Sequence, residues 1–357
     1  MKFLLVALAL LVTRLTLAQD QPQQQQSEEP PGNKLPPLPG SPQQWINSHP
    51  MTAEILKDKA VVFVYFEETS PEVEKRWPEL LDLSRKHEGK PMLFIAVNSG
   101  TPRQQVELYS RRYKITWPIL VDSDRSFEER SGIGEINTQN RLQVRGLSGD
   151  GEFTPSRGGE IKEVAEAIAD SGQWQVDPTE IPAALQASWK AIEFGNFSAA
   201  AQALKKNAKS PKEEIKTAAG KLQEVVDTRI QADVERAATA REAGESWKAY
   251  KLLTDLQARF RGFTLPASVA ADLKELRDDD QVKKELTAGK AFDTLKQKVS
   301  GGKFPPKSVR AQMEKFLEQY PGTEAAAEVS AAVARIDGAT GGAGGSDQGN
   351  ANSAEKK

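Results

Sequence analysis

The pattern of apolar and polar positions divides the chain into two parts of different character. Between residues 60 and 168, short apolar runs rich in β-branched and aromatic residues alternate with segments whose apolar residues recur at helical spacing. From Pro178 onward the sequence is rich in Ala, Lys, Glu, Gln and Leu and almost free of β-branched runs. The pattern predicts an α/β domain over residues 44–175 and an all-helical domain over residues 176–337.

The α/β part begins with a buried strand over residues 60–66, a polar turn, and a helix with Val73, Trp77 and Leu80 on its inner face. A second apolar strand over residues 91–98 completes a right-handed parallel unit. The remaining predicted elements are a short helix over 51–59 leading into the first strand, a helix over 103–113, an apolar segment at 115–122, a short helix at 127–132, a hairpin turn at Asp150-Gly151, and a closing helix over 160–168.

The stretch from Ala60 to Leu83 resembles the strand, active-site turn and helix that open a thioredoxin-like domain of the peroxiredoxin-like and envelope thioredoxin branch. Pro78-Glu79-Leu80 matches the Pro-Glu-Leu that follows the Cys-x-x-Cys turn of that family. Trp117-Pro118 and Asp150-Gly151 match later segments, so the resemblance covers about residues 45–172. It implies a central mixed sheet flanked by helices.

The same alignment places Ser70-Pro71-Glu72-Val73 on the Cys-x-x-Cys positions, and the chain contains no cysteine. Residues 136–151, which correspond to the segment with the cis-proline of the family, contain no proline. Thiol–disulfide exchange needs a thiolate, and a serine hydroxyl cannot replace it. We therefore expect Ser70 or Thr69 to be the N-cap of a helix, with Pro71 in the first turn and Glu72 near the positive helix end.

The sequence accordingly predicts no catalytic residue, no cofactor site and no metal site. It predicts instead that the former active-site turn remains as a groove for an extended polypeptide. The residues assigned to this candidate partner groove are Glu67, Glu68, Thr69, Ser70, Pro71, Glu72, Val73, Trp117, Pro118, Asn137 and Asn140.

The helical part contains two similar segments, residues 191–200 and residues 240–249, in which a glycine is followed five residues later by an alanine. They resemble the Gly-x-aromatic-x-x-Ala corner of tetratricopeptide repeats, with Phe197 and Trp247 filling the gap between two helices. A third segment, Tyr320-Pro321-Gly322-Thr323, resembles the end of a helical repeat. The two clear corners lie 49 residues apart, more than the ~34 of strict repeats, which favours a degenerate array of helical hairpins.

The N-terminus predicts export. Residues 1–18 have the basic start, the apolar core and the small-residue exit of a secretory signal peptide. The apolar run is shorter than the roughly 20 residues of a membrane span, so the mature chain is expected in the periplasm or outside the cell; an uncleaved anchor is the alternative. Residues 19–43, rich in Gln and Pro, and residues 338–357 are predicted to be a disordered linker and a disordered tail.

Charge and residue types narrow the functions further. The formal net charge of −2 argues against a broad field for nucleic acid. The two histidines, His49 and His87, fall in different segments, which disfavours a histidine-based metal site. Asp122 and Asp124 could bind a hard cation, although a solvated loop is the simpler interpretation.

These observations favour a redox-inactive protein-binding or scaffolding module of the cell envelope, with an unidentified protein or peptide partner. Two alternatives stay open. One is an enzyme of unrecognised chemistry, either an oxidoreductase descendant or a hydrolase that uses carboxylates near Asp122. The other is a structural protein that assembles through its helices.

Overall fold

The computed structural model describes residues 34–300 and 306–341. The predicted signal peptide, residues 19–33 of the predicted linker and residues 342–357 lie outside this part of the chain. Contacts divide the chain into two compact units. The first contains the chain up to Asn47 and Lys57–Gln173, and the second contains Ser48–Leu56 and the chain from Trp174 onward.

The first unit is built on one mixed sheet, and the strand order across it is β1-β4-β3-β2-β5-β6. The strands are β1 (Trp45–Ile46), β2 (Ala60–Phe66), β3 (Met92–Ser99), β4 (Ile119–Asp122), β5 (Leu142–Leu147) and β6 (Arg157–Gly158). The helices up to residue 168 are α1 (Ala53–Leu56), α2 (Pro71–Lys86), α3 (Arg103–Arg112), α4 (Ser126–Arg130) and α5 (Ile161–Ile168). Strands β2, β3 and β4 are parallel, whereas β5 runs antiparallel to β2. The expected α/β class, a central mixed sheet flanked by helices and followed by an all-helical region, is confirmed.

The central strand explains why the sheet forms where the sequence predicts it. All seven residues of β2 are buried, because neighbouring strands cover both edges and side chains pack on both faces. On one face, α2 contributes Trp77, whose ring meets Phe66 edge-on at 5.2 Å between ring centroids. Helix α2 starts at Pro71, a residue that suits a first helical turn, and it carries basic residues in its last turn.

The other face of the sheet holds an aromatic layer and one buried cation. The rings of Phe63 and Phe153 meet edge-on at 5.7 Å. Arg145 of β5 is only 3 % exposed, and its guanidinium carbon lies 3.9 Å from the Phe153 ring centroid. The guanidinium donates to the backbone carbonyls of Ser131, Phe153 and Thr154. A buried side chain thus ties three loop carbonyls to the sheet.

The predicted hairpin turn at Asp150-Gly151 is confirmed. The amide of Gly151 donates to Ser148 O at 2.9 Å, and Gly151 has a φ of 91°. Beyond the turn, Phe153 forms an antiparallel bridge with Leu147.

The second unit is helical. Its helices after residue 174 are α6 (Gln186–Glu193), α7 (Phe197–Asn207), α8 (Glu213–Glu242), α9 (Ser246–Arg259), α10 (Ala267–Asp278), α11 (Asp280–Ser300), α12 (Pro306–Gln319) and α13 (Glu324–Gly341). Glycines with positive φ lie between α6 and α7, between α8 and α9, between α9 and α10, and between α12 and α13; they are Gly195 (77°), Gly244 (76°), Gly262 (94°) and Gly322 (73°). The acidic run at residues 278–280 forms the junction of α10 and α11, with Asp279 between the two helices.

The two corner aromatics of the helical unit have different roles. Phe197 is buried and stacks on Phe260 at 4.6 Å between ring centroids. The sequence pattern suggested that Trp247 fills the gap between its two helices, and the structure shows a different arrangement. Its ring stacks on Tyr250, and its Nε1 donates to Glu324 at 2.9 Å. The small residues Ala200 and Ala249 are buried at the corners.

Segment 48–56 groups with the helices, although the sequence analysis includes it in the α/β domain. Helix α1 is shorter than the predicted 51–59. Its Glu54 accepts a hydrogen bond from Arg236 of α8 at 2.5 Å, and Arg229 donates to the Glu54 carbonyl at 3.3 Å. The unit that contains the helical region is therefore discontinuous in sequence.

Two further boundaries differ from those that composition predicts. Part of the expected linker has defined contacts, since Trp45 Nε1 donates to Pro39 O at 2.7 Å and Arg103 Nη1 donates to Gln43 O at 2.7 Å. Helix α13 continues to Gly341, four residues into the predicted tail.

Candidate functional site

The turn between β2 and α2 is the candidate site, and Ser70 lies at its centre. Ser70 is the N-cap residue of α2, with extended backbone angles, and Pro71 is the first residue of the helix. The hydroxyl of Ser70 does not accept a capping hydrogen bond from the helix backbone. It donates instead to Glu72 Oε2 at 3.0 Å. The predicted position of the cap is therefore right, whereas the expected capping bond is not made.

Glu68 anchors the turn to the neighbouring strand. The register of the parallel pair places Phe66 of β2 beside Asn98 of β3, so both strands end at the same edge of the sheet. Asn98 Nδ2 donates to Glu68 Oε2 at 2.8 Å, and Thr101 Oγ1 donates to Glu68 Oε1 at 2.6 Å. Glu67 is bonded within the turn, where it accepts from the amide and hydroxyl of Thr69. Sequence reasoning missed Asn98 and Thr101 as members of the site.

Arg141 is the third side chain that sequence reasoning missed. It directly precedes β5, whose first residue, Leu142, pairs with Phe66. The Arg141 carbonyl accepts from the Glu67 amide at 2.9 Å, and its guanidinium forms an ion pair with Glu72. Hydrogen bonds from Arg141 and Ser70 lower the pKa of Glu72. The available sequence signal was a basic residue just before the strand, in the segment where the family has its cis-proline.

The loop at residues 137–140 is stabilised by its own side chains. Asn137 Oδ1 accepts from the amides of Gln139 at 2.9 Å and Asn140 at 3.0 Å, an Asx-type turn. Asn140 Nδ2 donates to the carbonyl of Gly134 at 2.8 Å. Arg141 connects this loop to the turn, since its Nε donates to Thr138 O at 2.9 Å. The structure thus associates Asn137 and Asn140 with the turn through Arg141.

Trp117 and Val73 do not belong to an accessible surface. Trp117 is 5 % exposed, and its Nε1 donates to Ser84 Oγ of α2 at 2.9 Å. Its ring packs against Trp77 and Phe94 in the core of the first unit. Val73 is 2 % exposed on the inner face of α2, while Pro118 is half-buried. The exposed part of the candidate site is consequently the turn and the 137–140 loop, without an exposed tryptophan ring.

The turn carries hydrogen-bonding groups and lacks a redox nucleophile. No thiol exists anywhere in the sequence, so thiol–disulfide exchange by residues of this chain is impossible. Ser70 is 3 % exposed and its hydroxyl is bonded to a carboxylate. His87 follows the other end of α2, about 24 Å along a 16-residue helix. His49 belongs to the second unit, where its Nε2 lies 3.3 Å from Ser198 Oγ.

Asp122, the carboxylate proposed for the hydrolase alternative, forms hydrogen bonds within the fold. It is fully buried at the end of β4, and its carboxylate accepts from the amides of Phe127 at 3.0 Å and Glu128 at 2.8 Å. Burial raises the pKa of Asp122. This geometry identifies the carboxylate as the anchor of the first turn of α4. Within residues 34–300 and 306–341, no group of three or more His, Cys, Asp or Glu side chains is placed to hold a metal ion.

No protein-family model matches the sequence, and no curated protein matches it either. Several solved structures are similar to part of the chain. One is dsbF of MTB in mixed oxidized and reduced forms, with 16 % identity, 37 % of this chain and 98 % of that chain covered, and a TM-score of 0.31. A secreted Mycobacterium tuberculosis disulfide oxidoreductase homologous to E. coli DsbE has 15 % identity, 34 % and 90 % coverage, and a TM-score of 0.29.

A thiol:disulfide interchange protein of the thioredoxin family from Chlorobium tepidum TLS has 14 % identity, with 41 % of this chain and 98 % of that chain covered and a TM-score of 0.33. Each of these three matches spans nearly the whole of the other protein and about two-fifths or less of this one. In the described part of the chain, no helix is long and apolar enough to cross a membrane.

Proposed function

We propose that this chain is an exported, redox-inactive thioredoxin-like protein that binds a protein or peptide partner in the cell envelope. The observation that carries the proposal is the turn after β2. Where the family has its two thiols, this chain has a carboxylate-rich turn, bonded to the end of β3, to the start of α3 and to the residue before β5. The turn keeps an ordered surface and has lost the sulfur chemistry.

The ordered conformation of this turn favours the binding of a protein or peptide partner. Thr69, Pro71 and Glu72 are exposed, yet hydrogen bonds hold their neighbours in place. A partner that docks here meets side chains that are already oriented, so little conformational entropy is lost on binding. A fold by itself does not assign a function, and the argument therefore rests on this turn.

The helical unit provides the second contact surface of the proposed scaffold. Three of its hairpins are closed by glycines with φ between 73° and 77°, at Gly195, Gly244 and Gly322. This recurrence supports a tetratricopeptide-like character, because stacked helical hairpins are common in proteins that bind other proteins. We assign the scaffolding part of the function to this unit.

Export is supported by the pattern of residues 1–18. Cell fractionation, followed by mass measurement of the purified chain, tests it. The expected result is a periplasmic or secreted protein that lacks the first 18 residues. A cytoplasmic chain with the N-terminus intact would contradict export.

Site-specific photocrosslinking tests the binding function. A photoreactive amino acid replaces Thr69, Gln139 or Glu79 in the full-length chain, in the cells that make it. All three residues are exposed, and Glu79 lies on α2 outside the turn. We expect one partner to be captured at positions 69 and 139 and not at 79. Equal capture at all three positions, or none, would overturn a partner site at the turn, and capture of only a second copy would favour the structural alternative.

An insulin-reduction assay tests redox inactivity separately. The purified chain is expected to give no turnover above the rate without protein. Turnover that persists in the homogeneous protein would refute this part of the proposal.

A further inference from the structure

Glu68 differs from the other carboxylates of the turn in the kind of partner that it has. Both of its oxygens accept hydrogen bonds, from the Asn98 amide and the Thr101 hydroxyl, and both donors are uncharged. Glu72, by contrast, forms an ion pair with Arg141. Among the described residues no lysine, arginine or histidine forms an ion pair with Glu68, and the same holds for Glu67. The Glu68 carboxylate is therefore positioned without being neutralised.

Asn98 supplies a second, independent observation. Its side chain is 0 % exposed, and its Oδ1 is buried without a hydrogen-bond partner in the described part of the chain. The orientation of this amide is fixed by its surroundings. Nδ2 donates to Glu68 Oε2 and to Phe66 O, and the flipped amide would place an oxygen against both of these oxygens. The side chain that holds Glu68 thus carries an acceptor that lacks a donor, and such a buried group is costly to leave unbonded.

The positive end of α2 does not explain the position of Glu68. Glu72 and Glu74 lie in the first turn of the helix, where its dipole stabilises negative charge. Glu68 precedes the N-cap residue of α2. It is bonded to Asn98 of β3 and to Thr101, which comes just before Pro102, the N-cap residue of α3. Four glutamates fall within eight residues, at positions 67, 68, 72 and 74, in a chain whose formal net charge is only −2.

We propose, building on the partner-binding function above, that Glu68 is the seat for a lysine or arginine side chain of the bound polypeptide. A guanidinium or an ammonium group brings several N–H donors and a positive charge, and it brings no acceptor. The site offers the complement of such a group, namely a carboxylate that two neutral donors hold in place and that has no cationic partner among the described residues. Charge-assisted hydrogen bonds of this type are stronger than neutral ones. The partner class is therefore an extended segment with a basic residue at the position that meets the turn.

The first test uses a small probe on the full-length protein. Acetyl-arginine amide and its uncharged isostere acetyl-citrulline amide are titrated separately, and the NMR signals of the Asn98 side-chain amide and the Glu68 backbone amide are followed. We expect a saturable shift with the arginine compound and about tenfold weaker binding of the citrulline compound. Equal effects of the two compounds, or no shift at Asn98 with either, would overturn the proposal.

Charge-removing variants then locate the seat. Glu68→Gln is compared with its neighbour Glu67→Gln, which removes the same charge one residue away, and with Glu79→Gln on α2. We expect Glu68→Gln to weaken binding of the arginine compound about tenfold, Glu67→Gln to weaken it much less, and Glu79→Gln to leave it unchanged. Equal weakening by Glu67→Gln and Glu68→Gln would show a diffuse acidic field and would refute a defined seat. Unchanged thermal midpoints show that the variants are folded.

The photocrosslinking experiment separates this inference from the function on which it rests. If Glu68→Gln reduces capture of the partner at positions 69 and 139, the cation seat is supported. If capture is undiminished in the variant, the seat is refuted while the partner-binding function stands. If the unmodified turn captures no partner, the binding function itself fails.

Discussion

Ile55 packs against the bare Cα of Gly195. A Cβ atom built on Gly195 would lie 2.6 Å from Cδ1 of Ile55, closer than non-bonded carbon atoms approach each other. Gly195 also has a φ of 77°, in the left-handed region that favours glycine. This glycine therefore meets two requirements at once, one from its own backbone and one from a side chain about 140 residues earlier in the chain.

Gly195→Ala is predicted to destabilise the second unit more than Gly244→Ala does. Gly244 has nearly the same φ, 76°, but open space around its Cα, so it is the matched control. We expect a loss of about 1–2 kcal/mol for Gly244→Ala from backbone strain alone, and a further loss of about 1–3 kcal/mol for Gly195→Ala from overpacking. Urea unfolding measures both. When Ile55→Ala is added to both variants, the stability losses caused by Gly195→Ala and Gly244→Ala should become more similar. Equal losses in the two single variants would contradict the packing argument.

Ser70→Ala is predicted to be nearly neutral for stability, unlike the loss of an ordinary N-cap. The Ser70 hydroxyl bonds to the exposed Glu72 and leaves the helix backbone uncapped. Asp279 is the comparison, because its Oδ1 accepts from the amides of Gln281 at 2.9 Å and Val282 at 3.1 Å. We expect a change below about 0.5 kcal/mol for Ser70→Ala and a loss of about 1–2 kcal/mol for Asp279→Ala. Thermal unfolding of both variants provides the measurement, and a large loss for Ser70→Ala would contradict the geometry.

Arg145→Met is predicted to destabilise the first unit strongly, although the new side chain is apolar and similar in length. The substitution removes the donors that reach the carbonyls of Ser131, Phe153 and Thr154. Leaving buried carbonyls without partners costs about 1–3 kcal/mol for each group that water cannot reach. We expect an overall loss of about 2–5 kcal/mol, measured by denaturant unfolding. Arg157→Met, at an exposed position in β6, should have little effect.

The contact of Glu324 with Trp247 and Lys251 of α9 is predicted to contribute a stability that depends on pH. Burial on its own would raise the pKa of Glu324, but hydrogen bonds from Lys251 and Trp247 outweigh it and lower the pKa below the ordinary 4.5. The carboxylate therefore contributes stability that is present above pH 4.5 and is lost as the pH falls through the lowered pKa. The Trp247 indole N–H resonance should shift in that acidic range. Glu324→Gln should abolish this titration, and an unchanged titration in the variant would contradict the assignment.

The sequence was sufficient to predict the elements that depend on burial along a continuous stretch. Strand β2 spans residues 60–66, as its β-branched and aromatic run predicts, because such a run is stable only between two other strands. Helix α2 begins at Pro71, as proline at the first helical position predicts. Both signals are local, and tertiary contacts did not override them.

The candidate site could be predicted only in part, since its geometry depends on contacts between distant residues. The ion pair of Arg141 with Glu72 joins positions 69 residues apart, and no periodicity in the sequence records it. Trp117 illustrates the opposite error. A Trp-Pro pair at the family position suggested a surface feature, whereas the hydrogen bond to Ser84 and the packing against Trp77 place its indole in the core.

Segment 48–56 has a consequence for folding during synthesis. Glu54 emerges from the ribosome before any strand of the parallel core, but the arginines that bind it, Arg229 and Arg236, are made 175 and 182 residues later. At a translation rate of roughly 5–20 residues per second, about 10–40 s pass between the synthesis of Glu54 and that of these two arginines. Ile55 likewise has no Gly195 to pack against until about 140 further residues have been made. The unit that contains the helices can close only after most of the chain has been translated, whatever the progress of the sheet.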